Sequence, residues 1–397
     1  MIWPSEDGGA QRLAATELRL SATLTATSRA TFMSTMTVLG DPGEVFLLTH
    51  DALRSNFGMP TFARVERIDP VTLKPLARSP RLKGGPMWPG GLAVVEGGDL
   101  VSVYGRWVHR LDRDCRVKAA LELPVAAPWN SFVSLGDGLI VTKNLSDREP
   151  ALLSVIDTNA MRIVAQAQSP EPSIARLSAI GDTVYLVGTR SILRWRWTGA
   201  MLVRDEDWAW DYLAGTANTY GWDVVLDGAD AWFMDNGHHR YRTSMIGRGV
   251  APTPNRLLRI SLTDAADHEA VEVSGLPGGS ITNPPLVDPA RGLIIAYDSA
   301  NRVIQAFDWQ ARRLRPRWRR ERLGAASHML LTGDGGIVTN DYGAGGEHVI
   351  VLDILTGATR SRTYVGGWTQ GVVFPSPGWD NDLYFCSMSR VARVFSA

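Results

Sequence analysis

The stretch Leu330-Leu331-Thr332-Gly333-Asp334-Gly335-Gly336-Ile337-Val338 decides the fold. Two apolar runs flank a turn built of glycine and aspartate, the pattern of a tight β-hairpin. A third alternating run, Val349-Ile350-Val351-Leu352-Asp353, follows, and then the turn residues Leu355-Thr356-Gly357. Period-two alternation broken by such turns describes short antiparallel strands.

Working outward, the unit recurs. Val133-Ser134-Leu135-Gly136-Asp137-Gly138-Leu139-Ile140-Val141 and Leu177-Ser178-Ala179-Ile180-Gly181-Asp182-Thr183-Val184-Tyr185-Leu186 repeat the hairpin closely. Looser copies lie at 37–48, 92–103, 224–234, 285–295 and 372–385. Third runs ending in aspartate recur as well, at Asp69, Asp112, Asp157, Asp308 and Asp353, each followed by turn residues and a poorer fourth run. Eight units of four short strands, spaced by about 40 to 60 residues, predict an all-β chain folded as a β-propeller. Residues 1–397 are expected to form one propeller domain of eight four-stranded blades. Seven blades is the alternative, if the unit at 177–186 merges with a neighbour. The last unit, 369–397, has only three runs, and a spare strand-like segment lies at 17–27. Pairing that N-terminal strand with the last blade closes the ring and leaves no orphan edge.

The tight Gly-Asp turn, the alternating strand and the Asp353-Ile354-Leu355-Thr356-Gly357 ending resemble those of quinoprotein-like and YVTN-type β-propellers. The resemblance implies a scaffold rather than an activity. The 14 tryptophans fall at different strand positions from unit to unit, so the regular indole docking motif of pyrroloquinoline-quinone dehydrogenases is missing, as is a vicinal cysteine pair.

Composition narrows the function classes. The 41 basic and 41 acidic side chains cancel, which removes the electrostatic argument for nucleic-acid binding. The one strong charge run, Arg312 to Arg322, reads as an outer strand with arginine stems on the sheet and heads in water. Cys115 and Cys386 are too few for a disulfide framework or a multi-thiolate zinc site, and read as packed thiols. Neither a leader-like start nor an 18-residue uncharged apolar window is present, so the expected location is cytoplasmic, a removed leader being the other case. HExxH, GxSxG, Walker and GxGxxG signatures are missing in usable context, and no nucleotide cofactor is expected.

Loops between second and third strands share one face with the starts of the inner strands. They are long in units one, three, five and seven (51–61, 144–150, 236–255 and 341–348) and tight in the others. That face gathers Trp88, Trp129, Asn130, Lys143, Asn283, Arg240 and Arg242 as candidate substrate-binding residues. His238, His239, His328 and Tyr342 are the candidate proton-transfer groups, because imidazole and phenol can move protons near a bound anion. A single divalent metal on the channel axis would take His50, Asp223, His238 and His328 from units one, five and seven, with Asn130, Asn283 and Asp341 as an oxygen-rich alternative. The expected function is an enzyme of hydrolase or lyase type acting on a small polar or anionic organic molecule at the channel mouth. The alternatives are a non-catalytic scaffold that presents loops 51–61 and 236–255 to a protein partner, and a quinone-cofactor dehydrogenase.

Overall fold

Each predicted unit is an antiparallel four-stranded sheet in the computed structural model, and the eight sheets form a ring. The structure describes residues 3–51, 53–86, 90–237, 249–281, 283–371 and 374–397, without the side chains of Ser55, Asn56 and Asn130. Blade 7 shows the plan: Leu330–Leu331 innermost, then Gly336–Asn340, His348–Asp353 and Thr359–Tyr364. The unit at 177–186 is a full blade of its own, with strands Ser178–Ile180, Thr183–Val187, Ser191–Trp197 and Leu202–Asp211, so the count is eight and not seven. Blade 1 carries one extra short strand, Leu82–Lys83, on its third strand.

The ring closes as expected from the missing strand. Leu24–Ala30 pairs antiparallel with Arg390–Ser396, from Leu24 opposite Ser396 to Ala30 opposite Arg390. The closing strand therefore begins later than the 17–27 stretch. The residues ahead of it follow blade 7 instead: Thr16 N donates to Leu331 O at 2.9 Å, and Leu18 O accepts from Gly333 N at 2.9 Å. Leu18 is buried there, and an extended strand at the sheet edge would have left it in water.

Local chemistry explains the repeat. Asp137 and Gly138 are the two central residues of the blade 3 hairpin, with φ of 51° and 74°, the left-handed pair a type I′ turn requires. The aspartates at 69, 112, 157 and 353, which close third strands, cap the turns that follow. Asp69 Oδ1 accepts from Val71 N and Thr72 N at 3.1 and 2.6 Å. Asp353 Oδ1 accepts from Leu355 N and Thr356 N, both at 3.0 Å, and Asp157 and Asp112 repeat the device. Asp308 departs from it and pairs with Arg317 at 2.9 Å. The inner strand Ser34–Leu39 of blade 1 is buried along its whole length, while the closing strand Leu24–Ala30 alternates between half-buried and exposed.

The arginine run forms the outer strand Arg313–Glu321 of blade 6. It stitches to blade 7, where Trp318 Nε1 donates to Ile354 O at 2.8 Å and Arg320 Nη1 to Thr359 Oγ1 at 2.7 Å. Both cysteines are free and buried, and burial pushes each thiol up to about 12. Among the described residues no helix is long and apolar enough to cross a membrane. Deleting residues up to Ala30 removes seven ladder residues and should lower the melting temperature by about 10 °C or more. A truncated protein that melts with the parent in a calorimetric scan would show that closure contributes nothing.

Candidate functional site

The central channel is not open at both ends. Before it becomes the closing strand, the N-terminal segment crosses the channel where the inner strands finish. Its carbonyls accept from inner-strand amides of five blades: Trp3 O from Leu39 N (2.9 Å), Pro4 O from Val94 N (2.8 Å), Ala10 O from Ala179 N (2.8 Å), Gln11 O from Leu226 N (3.0 Å) and Ala14 O from Leu331 N (2.8 Å). Each bond satisfies an amide that the sheet leaves over. The segment coils rather than extends because Asp7, Gly8, Arg12 and Ala14 take φ of 52°, 80°, 59° and 48°. At Gly8 a Cβ would stand 2.8 Å from the Trp3 ring, so the indole folds back only over glycine.

This plug carries charge into the channel. Arg12 is buried, and its guanidinium meets Glu6 Oε2 at 2.9 Å, Asp7 Oδ2 at 3.0 Å, Ser131 Oγ at 3.1 Å and Leu177 O at 3.1 Å. Asp7 Oδ1 lies 2.8 Å from His328 Nδ1, off the line of a hydrogen bond. Arg176 joins Glu6 (3.4 Å) to Asp223 (3.1 Å), and its backbone N donates to Asp223 Oδ1 at 2.7 Å. Phe374 floors the group: the Arg176 guanidinium sits 4.9 Å from its ring centre and the His328 ring 4.1 Å. Burial of charge on this scale is tolerated only when each ion is paired. Burial acts to raise the Asp7 and Asp223 carboxyls, yet His328 and Arg12 beside the first, and Arg176, Arg12 and His328 beside the second, hold both below the ordinary value. Lys143 stands nearby, fully buried, donating from Nζ to Ser173 O at 3.0 Å, and burial lowers its ammonium to about 7.

Of the residues expected from sequence, the channel brings together His328, Asp223 and Lys143. Asn283 is buried on the neighbouring wall, donating from Nδ2 to Ala326 O, while Tyr342 lies at the rim with its hydroxyl donating to Trp368 O at 3.1 Å. Asp341 is paired with Arg362 at 3.0 Å. Trp129 packs between blades 2 and 3 and donates from Nε1 to Val125 O at 3.1 Å, which makes it core. His50 lines a cleft between blades 1 and 8, with Nδ1 2.9 Å from Thr35 Oγ1. His238, His239, Arg240, Arg242 and Trp88, and the side chain of Asn130, lie outside the described residues. Among those described, no three His, Cys, Asp or Glu side chains converge as metal ligands do. Sequence reasoning missed Glu6, Asp7, Arg12, Arg176 and Phe374. The Asp7-Gly8-Gly9 turn was the available signal that the N-terminus is folded rather than trailing.

No family model matches this chain, and no curated protein matches it either. Solved structures do. BamB from Moraxella catarrhalis superposes with a TM-score of 0.61 at 14% identity, covering 94% of this chain and 98% of that one. A quinohemoprotein alcohol dehydrogenase from Pseudomonas putida HK5 gives 0.65 at 10% identity, over 99% and 80%. A europium-containing methanol dehydrogenase gives 0.63 at 11% identity, over 96% and 88%. The chain shares the quinoprotein-like propeller fold. At these identities the likeness is one of fold alone.

Lys143 provides a pH test of the channel electrostatics. Its folded value lies near 7 and its unfolded value near 10.5, so between these the unfolded chain binds the extra proton. Stability contributed at this position therefore rises from pH 7 upward and is flat below it, where both states are protonated. The stability gap between the parent and Lys143→Met, from urea titrations at pH 7, 8 and 9, should change by up to about 1.4 kcal/mol per pH unit. A gap independent of pH would mean that the ammonium is not desolvated.

Proposed function

We propose that the protein is an acid/base enzyme of hydrolase or lyase type that binds a small polar or anionic organic molecule in the channel, with His328 as the proton-transfer group. One observation carries this reading. His328 is 1% exposed, its Nδ1 faces the Asp7 carboxylate, and its Nε2 has no hydrogen-bond partner among the described residues. A buried ring nitrogen without a partner is costly, and a bound molecule would relieve it. A carboxylate behind one nitrogen is the arrangement that orients an imidazole and steadies its charged form while the other nitrogen takes or gives a proton. Contacts of this kind are often misaligned without substrate and tighten when it binds.

The other channel residues take supporting roles. Arg176, paired with Glu6 and Asp223, stacks on the same Phe374 as His328 and holds that wall of the channel in place. Lys143, lowered to about 7, can exist in either protonation state near neutrality and could serve as a second proton carrier. The plug bars the far end of the channel, so substrate would enter from the face of the long odd-blade loops, and water would be partly excluded behind it.

A second reading has its own observation. Phe57 and Trp368 are 75% and 74% exposed on the long-loop face, with Leu53, Met59 and Val250 also exposed there. Apolar side chains collected on one face suit a protein partner, as the scaffold alternative requires.

The test is turnover of 4-nitrophenyl acetate, phosphate and sulfate by the full chain. At least one is expected to be cleaved, and His328→Gln should reduce that rate about 100-fold or more with little change in melting temperature. Equal rates in parent and variant, or no cleavage of any ester, would remove the proposal. Phe57→Asp combined with Trp368→Asp should leave turnover intact and release a partner if the second reading holds.

A further inference from the structure

Apart from the channel, a cleft of about 510 Å³ lies between the closing strand of blade 8 and blade 1. Four arginines line it, Arg29, Arg64, Arg78 and Arg81, against two carboxylates, Asp51 and Glu66, leaving two positive charges in excess. Glu66 is taken up by Arg29 and Arg78, each at 2.8 Å. Arg64 and Arg81 have no ion-pair partner among the described residues; their guanidiniums lie 5.8 and 4.6 Å from the Phe62 ring centre. Stacking of this kind holds a guanidinium in place while leaving its N–H edge free for an anion.

His50 supplies the independent sign of a ligand. It lines the cleft, is 3% exposed, and its buried Nε2 has no hydrogen-bond partner among the described residues. The Nε atoms of Arg29 and Arg64 are buried without partners as well. Burial lowers the imidazole to about 4, so it is neutral at ordinary pH. Nδ1 lies 2.9 Å from Thr35 Oγ1, and in the tautomer that donates to this hydroxyl Nε2 is an acceptor. Phe32 and Phe62 give the cleft aromatic walls.

We propose that this cleft binds a small aromatic carboxylate bearing a hydroxyl group, its carboxylate set against Arg64 and Arg81 and its hydroxyl donating to His50 Nε2. The volume is that of an ordinary small-molecule site. The charge excess selects an anion, the walls select a ring, and the lone pair of Nε2 selects a donor on that ring. A site that spends a buried acceptor on a hydroxyl discriminates against the analogue lacking it, because that analogue leaves the acceptor unpaired.

Calorimetric titration of the full chain with 4-hydroxybenzoate, 3-hydroxybenzoate, benzoate, phenol and inorganic phosphate tests it. One of the hydroxybenzoates should bind at least about tenfold more tightly than benzoate or phenol, and phosphate should not displace it. Arg64→Gln with Arg81→Gln should weaken that binding about tenfold or more at an unchanged melting temperature, and leave ester turnover at His328 untouched. His50→Phe should abolish the preference for the hydroxyl. If that variant fails to fold, the comparison of hydroxybenzoate with benzoate reads the same contact without a substitution. Binding unaffected by the arginine changes, equal affinity for benzoate, displacement by phosphate, or no binding up to about 10 mM would each overturn the proposal.

Discussion

The antiparallel ladder between Leu24–Ala30 and Arg390–Ser396 is the constraint on which the rest of the molecule depends. A ring of sheets is stable only if its first and last members cover one another's edges, and here one blade is shared between the two ends of the chain. Sharing fixes where the residues ahead of the strand must go. They reach the outer rim of blade 8 by way of blade 7 and the channel, and so they become a plug. The plug in turn decides what the channel can be. Arg12, brought in with Glu6 and Asp7, sets a buried ion cluster across the end of the channel.

Electrostatics inside that cluster follow from burial and pairing together. Three carboxylates and two guanidiniums meet in a space without bulk solvent, so a carboxylate keeps its charge only beside a cation, as Asp7 and Asp223 do. Lys143, stripped of solvent by burial, is drawn toward its charged form by Asp223 and opposed by Arg176, and gives way toward neutrality. The two outcomes side by side show how burial acts in opposite directions on paired carboxylates and on a desolvated ammonium.

Much of the fold was legible because its determinants are local. Asp137-Gly138 can be read as a hairpin wherever it stands, and the aspartates at 69, 112, 157 and 353 cap the turns that follow them within a few residues. The missing fourth strand of the last unit was an accounting fact of the same kind. The channel was legible by half. His328, Asp223 and Lys143 sit at strand ends whose facing follows from the repeat. Their partners do not: Asp7 and Arg12 lie in a segment with no period, held by contacts such as Arg12 to Leu177, 165 residues away. Nothing within a window of ordinary length shows that a guanidinium beside a glycine pair is destined for the interior. His50 shared the sequence signature of the channel histidines, yet it faces a different cavity because the strand ends of blade 1 open toward the seam with blade 8.

The separation of the closing partners also shapes how the molecule is made. Ser21 N donates to Ser396 Oγ across 375 residues, and no blade-by-blade assembly can form that contact early. On a ribosome the closing strand must wait, solvated and unpaired, until Arg390–Ser396 has been synthesised. Contacts of such long range come late and slow the final step of folding. During that interval the edge of Arg390–Ser396's future neighbour is open to other chains, and Arg29 with the hydroxyls of Ser21, Thr23, Thr25, Thr27 and Ser28 keeps it soluble until the ring can shut.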